Sequence, residues 1–338
     1  MIKIQDNPQV PQANKFTILP KLLLLGLSNK KDDNNSFSGF SLIEVIASTV
    51  MGMILLGFAL GGFNSMRQSF VQDEGVADVN QRLKTVLATI GPDMQQIGQG
   101  LTDTSIPLVK LEVFNVGTAN ETSIITTRKV SIPTPLNLSE ALIKNQSNTT
   151  LKISTDTSIL EQWKNKRIAD GGTVQGYIHN SATNTGQFFD YKGENLTADP
   201  RTITISSTTW TENYPSGSSI YLMDKRKYEV KDNILTLTVN DKDTFKLVEY
   251  VEKLNIEATI KSIANNGTIS DSKCKGIPES GTPTNCDTTP NNYKFENIKY
   301  LDIKATVKQK NKDNPSAKKL RSEDLTMSQK FFIRNTLN

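Results

Sequence analysis

The chain has 338 residues, of which 36% are hydrophobic and 22% charged, a balance typical of a folded globular protein. A formal net charge of +4 gives no global electrostatic case for nucleic acid, which we do not expect as a partner. With two cysteines and one histidine, a zinc site would have to be built mostly from carboxylates. The composition therefore predicts neither a metal site nor a cofactor, and no nucleophile or phosphate-binding motif predicts catalysis.

The first 39 residues are polar, carry five lysines against three aspartates, and precede a long apolar segment. That segment runs from Phe40 to Phe63, and its 24 residues would form a helix about 36 Å long. Because the hydrocarbon core of a bilayer is about 30 Å thick, we predict one membrane-spanning helix. The preceding lysines favour a cytoplasmic N-terminus, so the rest of the chain should lie outside the cytoplasm.

A cleaved secretory signal is the alternative interpretation of this N-terminal region. Such a signal has a short apolar core followed by small residues at a cleavage site. The early apolar run Leu22–Leu27 is too short and is followed by polar and charged residues, whereas Phe40–Phe63 is too long. The sequence therefore favours an uncleaved span.

Glu44 is the only ionisable side chain in the predicted span. A carboxylate costs about 2.5–3.5 kcal/mol at the centre of a span and less near an end. One interpretation is that Glu44 lies close enough to the lipid headgroups to escape most of this cost. The other is that it is a buried acid that awaits a positive partner.

Residues Gly39–Glu44 read G-F-S-L-I-E and lead into the uninterrupted apolar run. This pattern resembles the cleavage and methylation motif of type IV prepilins and type II secretion pseudopilins. The resemblance implies that residues 1–39 are a cytoplasmic leader, longer than is usual in the family, which a prepilin peptidase removes between Gly39 and Phe40. It also implies N-methylation of Phe40 and pairing of Glu44 with the Phe40 amine of a neighbouring subunit. Such pairing is favourable because each charge is costly alone in a medium of low dielectric constant.

Beyond Phe63 apolar residues recur every three or four positions, which predicts that the helix continues over residues 64–100 with one apolar stripe. The members of the stripe are Met66, Phe70, Val76, Val79, Leu83, Val86, Leu87, Ile90, Met94 and Ile97. We expect the stripe to face a globular core, Gly91-Pro92 to kink or break the helix, and Gly98 and Gly100 to end it. Residues 83–98 also resemble the helix end of large minor pilins, where an acid, glutamine and glycine follow a leucine-rich turn.

After Gly100 the apolar period changes to two, as expected for half-buried antiparallel strands. Alternation is clearest in four runs, Ile203–Ile205, Leu235–Val239, Leu254–Ile260 and Leu301–Val307. Residues 118–220 show less clear pairing, which indicates long loops or an inserted sheet. The predicted fold is α+β, with a long N-terminal helix, first transmembrane and then amphipathic, packed on an antiparallel β-rich domain of residues 101–338.

Cys274 and Cys286 lie close together in a loop rich in glycine, proline, asparagine and threonine. In the cytoplasm they would be two free thiols. Outside it, a disulfide would stabilise the domain by about 3 kcal/mol in the loop-entropy model. Because the expected topology places this loop outside the cytoplasm, we predict the disulfide.

Three further features have both a structural and a functional interpretation. His179 stands alone in a predicted strand and is expected to be structural. Asp241 and Asp243 lack most of the about six to eight oxygens of a calcium site, so we expect a solvated hairpin tip. Residues 308–321 carry six basic side chains, which predicts a charged hairpin loop or a patch for an acidic polysaccharide, DNA or an acidic partner. Aromatic residues do not interleave with these bases, which argues against single-stranded nucleic acid.

The C-terminal part resembles large minor pilins of the W type and the J-type pseudopilin in K-L-V-E-Y-V-E-K-L-N-I-E-A-T and N-I-K-Y-L-D-I-K-A-T-V. Proteins of this kind in gliding filamentous cyanobacteria serve polysaccharide secretion and motility. The resemblance implies a non-enzymatic assembly subunit of a type IV pilus or type II secretion-like machine, held in the inner membrane, whose partners are the prepilin peptidase and other pilins. The alternative is a signal-anchored extracytoplasmic enzyme or sensor, which would need neither Glu44 nor a glycine before Phe40.

Overall fold

The structure, a computed structural model, describes residues 41–98, 106–263, 268–279, 281–290, 295–309 and 325–333. The chain divides into two compact units, Met1–Leu60 and Gly61–Asn338. The described part of the first unit is almost entirely helix, and the second unit holds the C-terminal part of that helix followed by two antiparallel sheets. This arrangement confirms the predicted α+β class.

Helix α1 extends from Leu42 to Gln95 and includes Pro92, so the helix does not break at Gly91-Pro92, and the alternative of a kink there stays a prediction. A proline removes one helical N–H and leaves the carbonyl four residues earlier, here that of Ala88, without its donor. Ala88 and Pro92 both line an open groove. The helix ends three residues after the proline, before a turn in which Gly98 has a φ of 74°. The predicted limit, Gly100, lies outside the described residues.

Ten strands form the larger sheet, and all their pairings are antiparallel. They are β1 (Val109–Phe114), β2 (Thr122–Val130), β3 (Leu136–Asn137), β4 (Ser147–Ile153), β5 (Val174–Asn180), β6 (Thr185–Asn195), β7 (Arg201–Thr209), β8 (Ser219–Lys231), β9 (Ile234–Val239) and β10 (Asp243–Glu249). The main order is β1-β2-β8-β5-β6-β7-β4, while β3 and β9 pair with β8, and β10 pairs with β9.

Five strands form the smaller sheet, in the order β13-β12-β11-β14-β15, again antiparallel. They are β11 (Val251–Ile263), β12 (Ile269–Gly276), β13 (Thr284–Cys286), β14 (Ile298–Val307) and β15 (Thr326–Phe332), with a 3-10 turn at Phe295–Asn297 before β14. The four runs of alternating apolar residues lie in β7, β9, β11 and β14, which confirms that they form strands.

The region 118–220 holds strands of the larger sheet together with a helix that the sequence analysis missed, α2 (Thr157–Ala169). Asp156 caps this helix, because its carboxylate accepts a hydrogen bond from the Ser158 amide at 3.2 Å. Only Leu160 and Trp163 are buried along α2, so its apolar pattern is too sparse to reveal a helical period. The feature of the sequence that could have indicated α2 is its N-cap residue, Asp156.

Two hydrophobic cores stabilise the second unit. The first joins residues of α1 from Val79 onward with strands of both sheets. The second lies among α2, β3 to β7 and the start of β8, and it is rich in aromatic side chains such as Trp163 and Trp210. The helix that enters the second unit is therefore part of the core of that unit.

Gly91 allows α1 to lie close to the smaller sheet. A Cβ atom on Gly91 would lie 2.8 Å from Cε1 of Phe331, a buried ring on β15. We expect Gly91→Val to lower the free energy of unfolding by about 2–3 kcal/mol, because a buried ring would have to move. Chemical denaturation of the full chain in detergent measures this change.

Gly75 provides the matched control in the same helix. A Cβ atom there would meet Nε2 of Gln309 at 3.5 Å, which is an ordinary contact. Gly75→Ala should therefore leave stability unchanged or raise it by up to about 1 kcal/mol through helix propensity. A Gly91→Val variant as stable as the wild type would contradict the close packing of α1 on β15.

Candidate functional site

The predicted processing residues Gly39 and Phe40 lie outside the described residues, whereas Glu44 lies in the first turn of α1. The carbonyl of Ser41 accepts hydrogen bonds from the amides of Glu44 at 2.9 Å and Val45 at 3.3 Å. The Glu44 side chain is exposed. A carboxylate in the first turn interacts favourably with the helix dipole, so the helix itself favours an acid at this position.

The N-terminal part of α1 presents apolar side chains in all directions. Leu42 is 80% exposed and Phe63 is 66% exposed, and no residue of the most apolar 18-residue stretch is buried. From Leu42 to Phe63 the helix measures about 33 Å, which matches the hydrocarbon core of a bilayer. This helix is therefore long and apolar enough to cross a membrane.

Two hydroxyl groups in this segment have partners within the helix. Ser48 donates to the carbonyl of Val45 at 3.0 Å, and Thr49 donates to the same carbonyl at 2.7 Å. In hydrocarbon, polar groups must find partners inside the protein. These two side chains can therefore enter the apolar part of a bilayer at low cost.

Between the apolar segment and the core, the helix has exposed apolar residues. Met66 is 76% exposed, Phe70 71% and Val76 39%, so their predicted core-facing position was wrong. Burial begins at Val79 and continues to Ile97. The helical period is the same before and after Val79, and a period alone does not reveal which neighbour covers the stripe. The apolar side chains of Met66, Phe70 and Val76 are therefore exposed on the helix.

Arg82 lies where the buried part of α1 begins, and it connects the helix to the strands of the second unit. Its guanidinium pairs with Asp78 one turn earlier at 2.9 Å and donates to the carbonyl of Glu249 at 3.1 Å. It also lies over the ring of Tyr250, 4.4 Å from the centroid, which adds a cation–π contact. One side chain thus joins the helix to the end of β10 and the turn that follows.

Asp93 fastens the other end of the helix. It lies in the last turn and is 8% exposed. Nη1 of Arg226, on β8, contacts its two carboxylate oxygens at 2.6 and 2.8 Å, and the hydroxyl of Tyr228 donates to the same carboxylate. Burial and the neighbouring Asp93 charge raise the pKa of Tyr228 well above its usual range, so the phenol remains a donor. The sequence places this acid at the end of a helix, but local patterns do not indicate Arg226 and Tyr228 as its partners.

The structure joins Cys274 and Cys286 in a disulfide, at directly opposed positions of β12 and β13. Cys274 is fully buried. Asp287, which follows β13, also links the two strands, because its carboxylate accepts a hydrogen bond from the Lys273 amide of β12 at 2.8 Å. Whether the bond forms in the cell stays a prediction, because the compartment decides it.

The remaining candidates lie apart from the helix. His179 is buried on β5, with Nε2 3.3 Å from Oδ1 of Asn184. Asp241 lies in the turn between β9 and β10, where Lys225 pairs with it at 2.7 Å, and Asp243 begins β10. Residues 310–321 of the basic segment lie outside the described residues. Within the described ranges, no group of three or more histidine, cysteine or acidic side chains could hold a metal ion.

Comparisons of the chain with protein-family models, with curated proteins and with solved structures give no match.

Proposed function

We propose that this chain is a minor pilin or pseudopilin, a non-enzymatic subunit that is anchored in the membrane by α1 and assembles through that helix into a pilus or a type II secretion-like filament. The observation that carries the proposal is the change of environment along one continuous helix. Its first part is apolar and exposed, with Glu44 as the sole acid between residues 42 and 63, and its last part belongs to the core of the second unit.

Two features support assembly rather than simple anchoring. The exposed residues Met66, Phe70 and Val76 extend the open apolar surface beyond the length that a bilayer needs. A neighbouring helix would remove this surface from water, which is favourable at about 25 cal/mol per Å². A single-pass anchor for an enzyme or sensor needs neither this extension nor Glu44.

The rigid attachment of α1 is a further support. Arg82 and Asp93 fix the buried part of the helix at two places, so a force on the helix would be passed directly to the globular domain. A filament subunit needs such a connection because its helix moves with the growing filament. We further propose polysaccharide secretion and motility as the process served, on the resemblance described above.

The processing step gives the first test. We expect the mature protein to begin at Phe40 with a methylated amine, because G-F-S-L-I-E places a glycine before the cut and a glutamate after it. Intact mass and N-terminal sequencing of the membrane form from a strain with an active prepilin peptidase decide the point. Gly39→Ala should slow cleavage less than Gly39→Leu, because the residue must fit a confined peptidase site. A mature form that retains residues 1–39 would favour the signal-anchored alternative.

A further inference from the structure

Arg128 is a fully buried charge in the larger sheet. It lies on β2 with 0% of its side chain exposed, and its guanidinium packs 4.4 Å from the ring centroid of Phe188. Nε donates to Oε1 of Gln175 at 2.8 Å, and Nη2 donates to the carboxylate of Glu279. A buried arginine is costly unless an opposite charge accompanies it. Burial lowers the pKa of Arg128, and the Glu279 charge opposes that effect.

Glu279 is partly exposed, although the guanidinium that it contacts is fully buried. Its side chain is 41% exposed, so water competes for it. It lies between β12 and β13, inside the short loop that the Cys274–Cys286 disulfide closes. The position of this carboxylate over Arg128 therefore depends on the conformation of the closed loop.

The same segment also connects the two sheets. The amide of Leu111, on β1 of the larger sheet, donates to the carbonyl of Ile277 at 2.8 Å, and the amide of Ile277 donates back at 2.8 Å. Nearby, Lys275 of β12 pairs with Glu121 at 2.7 Å. Residues 275–279 thus join the smaller sheet to the larger one through backbone bonds and two ion pairs.

We propose that Cys274–Cys286 is a redox-dependent latch, in which the disulfide holds Glu279 on the buried guanidinium of Arg128 and so keeps the two sheets joined. Reduction adds two electrons and two protons to the S–S bond, supplied by a dithiol that becomes a disulfide itself. The opened loop gains conformational freedom, the exposed Glu279 carboxylate moves into water, and the buried charge of Arg128 loses its ionic partner. An oxidised thiol–disulfide oxidoreductase outside the cytoplasm reverses the step. The latch does not depend on assembly into a filament.

The test compares the effect of reduction with and without the buried charge. The full chain is purified in detergent, and the thermal midpoint is measured with and without dithiothreitol for the wild type and for Arg128→Met. Thiol labelling after denaturation confirms that the bond is intact in one sample and open in the other. We expect reduction to lower the midpoint by about 15 °C in the wild type and by about 8 °C in Arg128→Met. Equal losses in both proteins would mean that the disulfide acts only by constraining the unfolded chain.

Two further measurements keep the latch testable if Arg128→Met does not fold. In the oxidised chain Glu279→Gln should lower the midpoint by about 8 °C, whereas Glu212→Gln, which removes an exposed partner of Lys144, should shift it by less than about 2 °C. In the wild type, hydrogen exchange of the Leu111 and Ile277 amides should become at least about a hundredfold faster on reduction. Unchanged exchange, or equal effects of the two glutamine variants, would overturn the latch.

Discussion

On the proposed function, replacing Glu44 by alanine is expected to abolish incorporation of this chain into a filament while leaving membrane insertion and the folded domain intact. Removal of an acid from an apolar span makes insertion easier, so poor anchoring cannot explain a loss. What disappears is the carboxylate that would pair with the Phe40 amine of a neighbouring subunit. A buried charge that loses its partner costs about 3–5 kcal/mol, so we expect incorporation to fall at least about a hundredfold.

The measurement is co-purification of the chain with pilins from a strain in which the chromosomal copy carries the change. Ser48→Ala is the matched control, because it removes another polar group from the same segment and its hydroxyl already bonds within the helix. Glu44→Gln separates charge from hydrogen bonding and should behave like the alanine variant. If Glu44→Ala co-purifies normally and its mature N-terminus is Phe40, the pairing of Glu44 with a neighbouring amine is wrong. The helix dipole would then be the remaining explanation for an acid at this position.

Local sequence patterns predicted those helices and strands that keep the same face towards the hydrophobic core along their whole length. The period of three to four residues from Val79 to Ile97 and the period of two in Leu254–Ile260 each reflect one face turned to one core. The same reasoning was wrong for Met66 and Phe70, because an apolar stripe packs equally well on its own domain or on a second molecule. Sequence alone does not distinguish these two cases.

The ion pairs that join helix α1 and the strands to one another could not be predicted from the sequence, for a different reason. Asp93 and Arg226 are 133 positions apart, and Arg128 and Glu279 are 151 apart. Such pairs are defined by which strands become neighbours, and the order β1-β2-β8-β5-β6-β7-β4 does not follow from local periodicity. A single acid in the last turn of a helix was nevertheless a usable signal, because the helix dipole disfavours an acid there.

That signal leads to a second large effect on stability, at Asp93. The carboxylate lies at the unfavourable end of the helix dipole and is 8% exposed, so Arg226 and Tyr228 must offset both costs. Asp93→Ala should lower the free energy of unfolding by about 3–4 kcal/mol, because it leaves the phenol and the guanidinium without their acceptor. Denaturant unfolding of the full chain in detergent gives the value.

The control and the pairing test use the same region. Asp78→Ala removes the other acid that pairs with an arginine on this helix face, a 38% exposed side chain, and should cost less than about 1 kcal/mol. In a double-mutant cycle, Arg226→Met should recover about 1–2 kcal/mol of the loss in Asp93→Ala, less than for a fully buried pair because Arg226 is 35% exposed. If the two substitutions add without coupling, or if Asp93→Ala costs no more than Asp78→Ala, then the Asp93–Arg226 pair does not stabilise the attachment of helix α1 to the sheet.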